Sequence, residues 1–273
     1  MKVTVIGAGT MGSGIAEVFA MNNNDVLLSD VSYDILNMGI KRIENSLKKF
    51  QEKGKIKSVD DVLSRININT DINAQESDLY IEAVLEREDV KKDVLSKIKS
   101  NSIIATNTSS ISITYLSRFV KNPEKFIGMH FFNPPPIMSL IEIVRGNSTS
   151  DETTKKIIEI SKSLGKTPVE VRDFPGFVSN RVLMAMLREA IIAYEESVAS
   201  AEGIDTVMKL GMNHPMGPLE LSDFIGLDVV YDIMNVLYND TGSERFKPPI
   251  TLRNLVYAGK LGRKTGEGFY KYK

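Results

Sequence analysis

The sequence predicts an α/β chain in two parts: a doubly wound, mainly parallel sheet over residues 1–179, then an all-α region over residues 180–273. Three observations carry this. A glycine-rich turn, VIGAGTMGSGIA (residues 5–16), stands between a short apolar strand and an apolar helix pattern. Strand-like and helix-like segments then alternate to about residue 172. Past DFPGF (residues 173–177) the apolar spacing becomes wholly helical. Regular alternation of strands and helices marks an α/β sheet with parallel strands.

In chain order, residues 2–6 (KVTVI) read as the first strand and residues 25–30 (DVLLSD) as the second, with the glycine turn and a helix between them. Residues 33–51 read as a helix, 65–68 and 79–83 as strands, 89–99 as a helix and 103–106 as a short strand. Residues 126–130 and 140–144 are strands on either side of the turn Pro134-Pro135-Pro136. Residues 151–164 are helical, with Thr153 near the start and Gly165 just past the end, and residues 167–171 close the sheet. In the second part Val182, Met186, Ile191 and Tyr194 recur along one long helical run.

Composition narrows the function classes. Of the 273 residues, 42% are hydrophobic, enough for a sizeable core, and 34 basic residues balance 35 acidic ones, so no general affinity for nucleic acid is expected. The absence of cysteine excludes disulfides, thiolate metal sites and a cysteine nucleophile, and two histidines make a multi-histidine metal site unexpected. No apolar run reaches the roughly 18 residues of a membrane span. The first strand pattern starts at Lys2 and leaves no room for a leader, so a cytoplasmic protein is expected.

The glycines Gly7, Gly9 and Gly12 have the spacing G-x-G-x-x-G inside a βαβ pattern. Gly7 permits the tight turn, Gly9 lets a pyrophosphate approach the backbone, and Gly12 lets the helix pack on the strand. Thr10 and Met11 open that helix, whose N-terminal N–H groups and dipole attract phosphate. A Rossmann-like dinucleotide site is expected. Asp30 ends the second strand, where a carboxylate accepts from both ribose hydroxyls and repels a 2′-phosphate, so NAD is favoured over NADP.

His130 ends its strand, and ligands of open α/β sheets bind at the carboxyl ends of strands. Glu142 sits in the apolar run LIEIV, and a carboxylate among aliphatics needs a partner. The proline turn brings His130 near it. Such a pair orients the imidazole and favours its protonated form, as a general base needs. Asn107, Thr108, Ser109 and Ser110 follow a strand and place hydroxyls in the same crevice, unless they form an ordinary side-chain–backbone turn. His214, in NHPMGP, has no comparable partner and reads as structural.

These residues, with GAGTMGSGIA, ATNTSSISI, GMHFFNPPPIMSLIEIV, DFPGFVSNRVL, HPMGPLELSDFIGLDV and GRKTGEGFYKYK in that order, make the chain resemble the short-chain L-3-hydroxyacyl-CoA dehydrogenases over essentially its whole length. It is most like their bacterial members that act on 3-hydroxybutyryl-CoA. The resemblance implies an NAD-dependent oxidoreductase of fatty-acid or butyrate metabolism that interconverts (S)-3-hydroxybutyryl-CoA and acetoacetyl-CoA. It implies His130 as the general acid/base, Glu142 as its carboxylate partner, Ser109 beside substrate and nicotinamide, and Asn180 at the substrate carbonyl. It implies further NAD contacts from Glu86, Lys91, Asn133 and Lys264, although the segment between Glu86 and Ser109 is shorter than is usual in the family. It also implies a homodimer through the helical region.

The same resemblance places CoA on the basic segment 41–57. Ser46 and Lys53 share a helical face there, with Lys41, Arg42, Lys48, Lys49, Lys55 and Lys57 around them. Ammonium groups bind the phosphates of CoA as point charges. Two other readings compete: an NAD-dependent dehydrogenase of a free hydroxy acid or sugar acid, and a non-catalytic NAD-sensing protein.

Overall fold

The computed structural model describes residues 1–272, which form two compact units that part between Phe174 and Pro175. The first helix of the second unit opens at Ser179.

The first unit runs β1 (Lys2–Ile6), α1 (Thr10–Met21), β2 (Asp25–Ser29), α2 (Tyr33–Glu52), α3 (Val59–Leu63), β3 (Ile66–Asn69), β4 (Leu79–Glu82), α4 (Glu88–Lys97), β5 (Ile103–Thr106), α5 (Ile113–Leu116), β6 (Phe126–Phe131), β7 (Leu140–Arg145), α6 (Asp151–Ser163) and β8 (Thr167–Arg172). The sheet order is β3-β2-β1-β4-β5-β6-β7-β8. Every neighbouring pair is parallel except β6 and β7, which the short proline turn forces to be antiparallel. The order reverses between β1 and β4, the place where an open α/β sheet forms its crevice. The short helices α3 and α5 were not expected from the sequence, because four or five residues are too few to display helical periodicity.

Strand alternation sorts the residues onto two faces. One face turns Val3, Val5, Leu28, Ile81, Ile127, Met129, Ile141 and Ile143 into a core shared with Ile15, Phe19, Leu36, Ile43, Leu47 and Ile157 of the helices. On the other face Ile6, Glu82, Thr106, Gly128 and Val144 are register partners across five strands. His130 and Glu142 are register partners two residues further along β6 and β7, so they share that second face.

One buried group on α1 works against the fold at neutral pH. Glu17 is enclosed, and its Oε1 has no hydrogen-bond partner among the described residues. Burial pushes its carboxyl up to about 7, partly opposed by a hydrogen bond with the Ser46 hydroxyl of α2. The folded chain therefore prefers Glu17 protonated, and the stability this gives is complete below the unfolded value near 4.5 and lost as pH rises through about 7. A shift of this size corresponds to on the order of 3 kcal/mol. Glu17→Gln is expected to melt above the wild type at pH 8, with the difference shrinking as pH falls toward 4.5. Melting curves across that range check this; a pH-independent difference contradicts it.

The second unit contains α7 (Ser179–Glu195), α8 (Ala201–Gly211), α9 (Pro218–Ile225), α10 (Leu227–Thr241) and α11 (Ile250–Tyr257). Its core gathers Met184, Leu187, Ile191, Leu219, Leu227, Val230, Met234 and Leu237. Two buried aspartates fasten the C-terminal segment. Asp205 caps α9 through the Leu219 and Glu220 N–H groups, both at 2.9 Å, and accepts from the Tyr270 hydroxyl at 2.7 Å. Asp223 accepts the Phe269 and Tyr270 N–H groups and the Tyr272 hydroxyl, the last at 2.9 Å. Burial and this hydrogen bond push the Tyr272 hydroxyl up to about 12. No helix among the described residues is long and apolar enough to cross a membrane.

Candidate functional site

The glycine turn has the shape the sequence requires. Gly7 has φ +104°, donates its N–H to the Ser29 carbonyl at 2.8 Å, and comes so close to β4 that a Cβ there would lie 2.5 Å from the Ala83 carbonyl oxygen. A Cβ on Gly12 would run into the Gly7 carbonyl oxygen, so this glycine sets how closely α1 packs on the turn. At Gly9 the opposite holds: a Cβ would meet nothing within 4 Å. Gly9 is also the N-cap of α1 and supplies no side-chain cap, so none satisfies the first-turn N–H groups at Thr10 and Met11. An open approach to uncapped N–H groups at the positive end of a helix is what a pyrophosphate needs.

Asp30 lies against the turn, one residue past β2. Its Oδ2 accepts the Ala8 N–H at 2.6 Å and its Oδ1 the Val31 N–H at 2.7 Å. Each carboxylate oxygen retains a lone pair for a ribose hydroxyl. Arg42 donates to the Ala8 carbonyl at 3.0 Å, on the other side of the same peptide. Its guanidinium therefore lies against the glycine turn, because α2 packs along α1 and the long side chain reaches back.

His130 and Glu142 face each other across the antiparallel pair β6–β7, with Nδ1 2.8 Å from the Glu142 Oε2. Both residues are buried. An ionised carboxylate accepts only, so the Nδ1 proton is held on Glu142, and in the neutral ring the lone pair lies on Nε2. The Phe132 ring stacks tilted against the imidazole at 4.8 Å, which further restrains the ring. The next backbone N–H, of Phe131, is tied to the Asn107 side chain at 2.8 Å.

The turn after β5 is organised by Glu86. Its Oε1 accepts the Thr108 hydroxyl at 2.6 Å and the Ser109 and Ser110 N–H groups at 2.8 and 3.0 Å. Burial alone would raise this carboxyl, but the Lys91 ammonium and these hydrogen bonds outweigh it and hold it below the usual range. Lys91 is fully buried, its ammonium 3.3 Å from Glu86 and 2.8 and 3.1 Å from the two oxygens of Glu82. Glu86 and Ser109 thus belong to one cluster at the carboxyl ends of β4 and β5, and Lys91 lies beneath them, enclosed by carboxylates.

Asn133 is exposed in the proline turn. That turn is pinned by Lys166, whose ammonium donates to the Pro135 and Met138 carbonyls at 2.6 and 2.8 Å, and it packs on α1 at Gly14, where a Cβ would lie 2.8 Å from Pro135. Of the residues expected at CoA, Lys53 is the exposed C-cap of α2, whereas Ser46 turns its hydroxyl toward Glu17. Lys41, Lys48, Lys49, Lys55 and Lys57 are all exposed. In the second unit Asn180 lies in the first turn of α7, and Lys264 pairs with Asp228 at 2.5 Å. His214 lies in the loop before α9 and donates its N–H to the Met208 carbonyl.

Glu82 was not singled out from the sequence, where LYIEA reads only as a strand. The signal was present: a carboxylate among aliphatics, the same argument that flags Glu142.

Comparison with known proteins bears on both units. Residues 2–174 match the family model described as 3-hydroxyacyl-CoA dehydrogenase, NAD binding domain, and residues 176–272 match that of the 3-hydroxyacyl-CoA dehydrogenase C-terminal domain. A protein of Deinococcus radiodurans named "Probable 3-hydroxybutyryl-CoA dehydrogenase" is 51% identical, with 100% of both chains covered. The 3-hydroxybutyryl-CoA dehydrogenase of Clostridioides difficile is 46% identical, covering 100% of this chain and 99% of its own. The crystal structure of (S)-3-hydroxybutyryl-CoA dehydrogenase from Ralstonia eutropha superposes with a TM-score of 0.96 at 43% identity, covering 100% of this chain and 99% of that one.

Proposed function

The chain belongs to the 3-hydroxyacyl-CoA dehydrogenase family, and from that premise we propose that it interconverts (S)-3-hydroxybutyryl-CoA and acetoacetyl-CoA with NAD, using His130 as general acid/base. The observation that carries this reading is the His130–Glu142 pair, 2.8 Å apart, on the same sheet as the glycine turn. Its substrate rests on the names of the relatives and on the exposed lysines of the 41–57 segment.

Bound NAD supplies the acceptor and donor of hydride at C3. The protein handles the proton. In oxidation, Nε2 of His130 takes the proton of the 3-hydroxyl, and Glu142, already accepting the Nδ1 proton, stabilises the imidazolium that forms. In reduction the imidazolium returns that proton to the 3-keto oxygen. Glu86 orders the turn that carries Ser109 toward the reacting groups. Gly7, Gly9, Thr10, Met11 and Gly12 hold the pyrophosphate, and Asp30 the adenosine ribose. The roles expected of Asn133, Asn180 and Lys264 stand with this reading as proposals. So do a cytoplasmic location and a homodimer through the second unit, for which the exposed Val207, Leu210 and Met212 offer an apolar surface; sedimentation velocity tests the dimer.

Oxidation of NADH with acetoacetyl-CoA, set beside free acetoacetate, tests the function. Turnover of the thioester and little of the free acid is expected, with NADPH the poorer reductant. Equal turnover of the free acid contradicts the CoA assignment. Lys53→Ala is expected to raise KM for acetoacetyl-CoA roughly fivefold with kcat unchanged, the scale of one exposed ion pair equally formed in ground and transition states.

A further inference from the structure

A ring of buried polar groups joins the ends of β4 and β5. Glu82 is fully buried, with each carboxylate oxygen used twice. Oε1 accepts the Lys91 ammonium and the Val84 N–H, both at 2.8 Å. Oε2 accepts the ammonium at 3.1 Å and the Thr106 hydroxyl at 2.6 Å. The Lys91 ammonium also forms an ion pair with Glu86 at 3.3 Å, and Glu86 accepts from Thr108, two residues beyond Thr106. The ring Thr106–Glu82–Lys91–Glu86–Thr108 therefore encloses the start of the turn that carries Ser109. The Glu82 carbonyl accepts the Asn107 N–H at 2.7 Å, and the Asn107 side chain in turn holds the backbone beside His130.

Two charges buried this deeply are costly unless their geometry is complete, and an aliphatic pair would stabilise the core as well. Their arrangement has a directional consequence that an aliphatic pair lacks. With two oxygens of Glu82 gripping it, the ammonium meets Glu86 from below at a fixed point. The Glu86 carboxylate is thereby left with one oxygen for Lys91 and the other for the 108–110 turn.

We propose that Glu82 is a positioning residue: through Lys91 it fixes Glu86, and so sets the turn bearing Ser109 for the bound dinucleotide and substrate. This rests on the roles given above to Glu86 and Ser109. In Glu82→Gln one oxygen becomes an amide N–H₂ that meets the Lys91 ammonium, which can only donate, so the ammonium shifts its weight to Glu86 and draws it away from the turn.

Equilibrium titration of NADH by fluorescence, well below the melting temperature, tests the proposal on Glu82→Gln, Thr106→Val and Thr106→Ser. Glu82→Gln is expected to weaken NADH binding roughly tenfold or more, the scale of one misplaced charge-assisted hydrogen bond. Thr106→Val, which keeps all three charged side chains but removes one donor to Glu82 and so loosens its hold on Lys91, is expected to weaken it severalfold, and Thr106→Ser to restore it. A folded Glu82→Gln with wild-type NADH affinity and only a lowered melting temperature overturns the proposal. Should that variant not fold, the Thr106 pair decides, and equal affinities for Val and Ser overturn it. A wild type that binds NADH but leaves acetoacetyl-CoA unreduced contradicts the proposed substrate, while the titration still reads Glu82.

Discussion

His130→Gln is expected to lower kcat for NADH-dependent reduction of acetoacetyl-CoA by roughly 10²–10⁴-fold, the usual worth of a general acid/base. Glutamine keeps a donor for Glu142 and the approximate shape of the ring edge, but holds no transferable proton near neutral pH. The glycine turn lies on other strands and is untouched, so NADH should bind as in the wild type. Stopped-flow or steady-state rates together with an NADH titration separate the two effects. A variant retaining a tenth or more of the wild-type kcat removes His130 from the chemistry.

The complementary loss is expected from Gly12→Ala. The added Cβ meets the Gly7 carbonyl oxygen, a backbone atom that cannot rotate aside. Overpacking of this kind costs about 1–3 kcal/mol of stability as α1 is displaced from the turn. Displacement also misaligns the N–H groups at Thr10 and Met11, and losing one hydrogen bond to a charged phosphate lowers affinity by roughly tenfold to a hundredfold. An NADH titration and a melting curve check this. Wild-type affinity in the alanine variant contradicts the role given to the turn.

Much of the first unit was legible because its signals are local. The glycine spacing, the strand before it and Asp30 after it lie within one βαβ stretch, and each rests on a backbone constraint that residue type alone displays. Glu142 was legible for a different reason: a carboxylate inside LIEIV demands a partner, and a short turn leaves His130 within reach. The same logic applied to LYIEA would have found Glu82, but its partner Lys91 lies on the following helix and the pairing depends on how α4 lies over the sheet. The contacts of Arg42 and Ser46 were not legible, because a helix offers several faces. Sequence spacing says which residues share a face but not which neighbour that face meets. Here Ser46 meets Glu17 on α1, and Arg42 reaches the Ala8 carbonyl. The burial of Glu17, with one oxygen on Ser46 and Oε1 unpartnered among the described residues, likewise depends on packing between α1 and α2 that no periodicity reveals.

The claim on which the rest depends is that His130 and Glu142 act as one unit. The kcat values of His130→Gln, Glu142→Gln and the double variant, measured with acetoacetyl-CoA and NADH, test it most directly. Groups that act together are strongly non-additive. Both single variants are expected to be slow, and the double variant little slower than His130→Gln alone. Rate losses that multiply in the double variant, with a lowered melting temperature for Glu142→Gln, would show instead that Glu142 is a structural carboxylate and that the pair is no dyad.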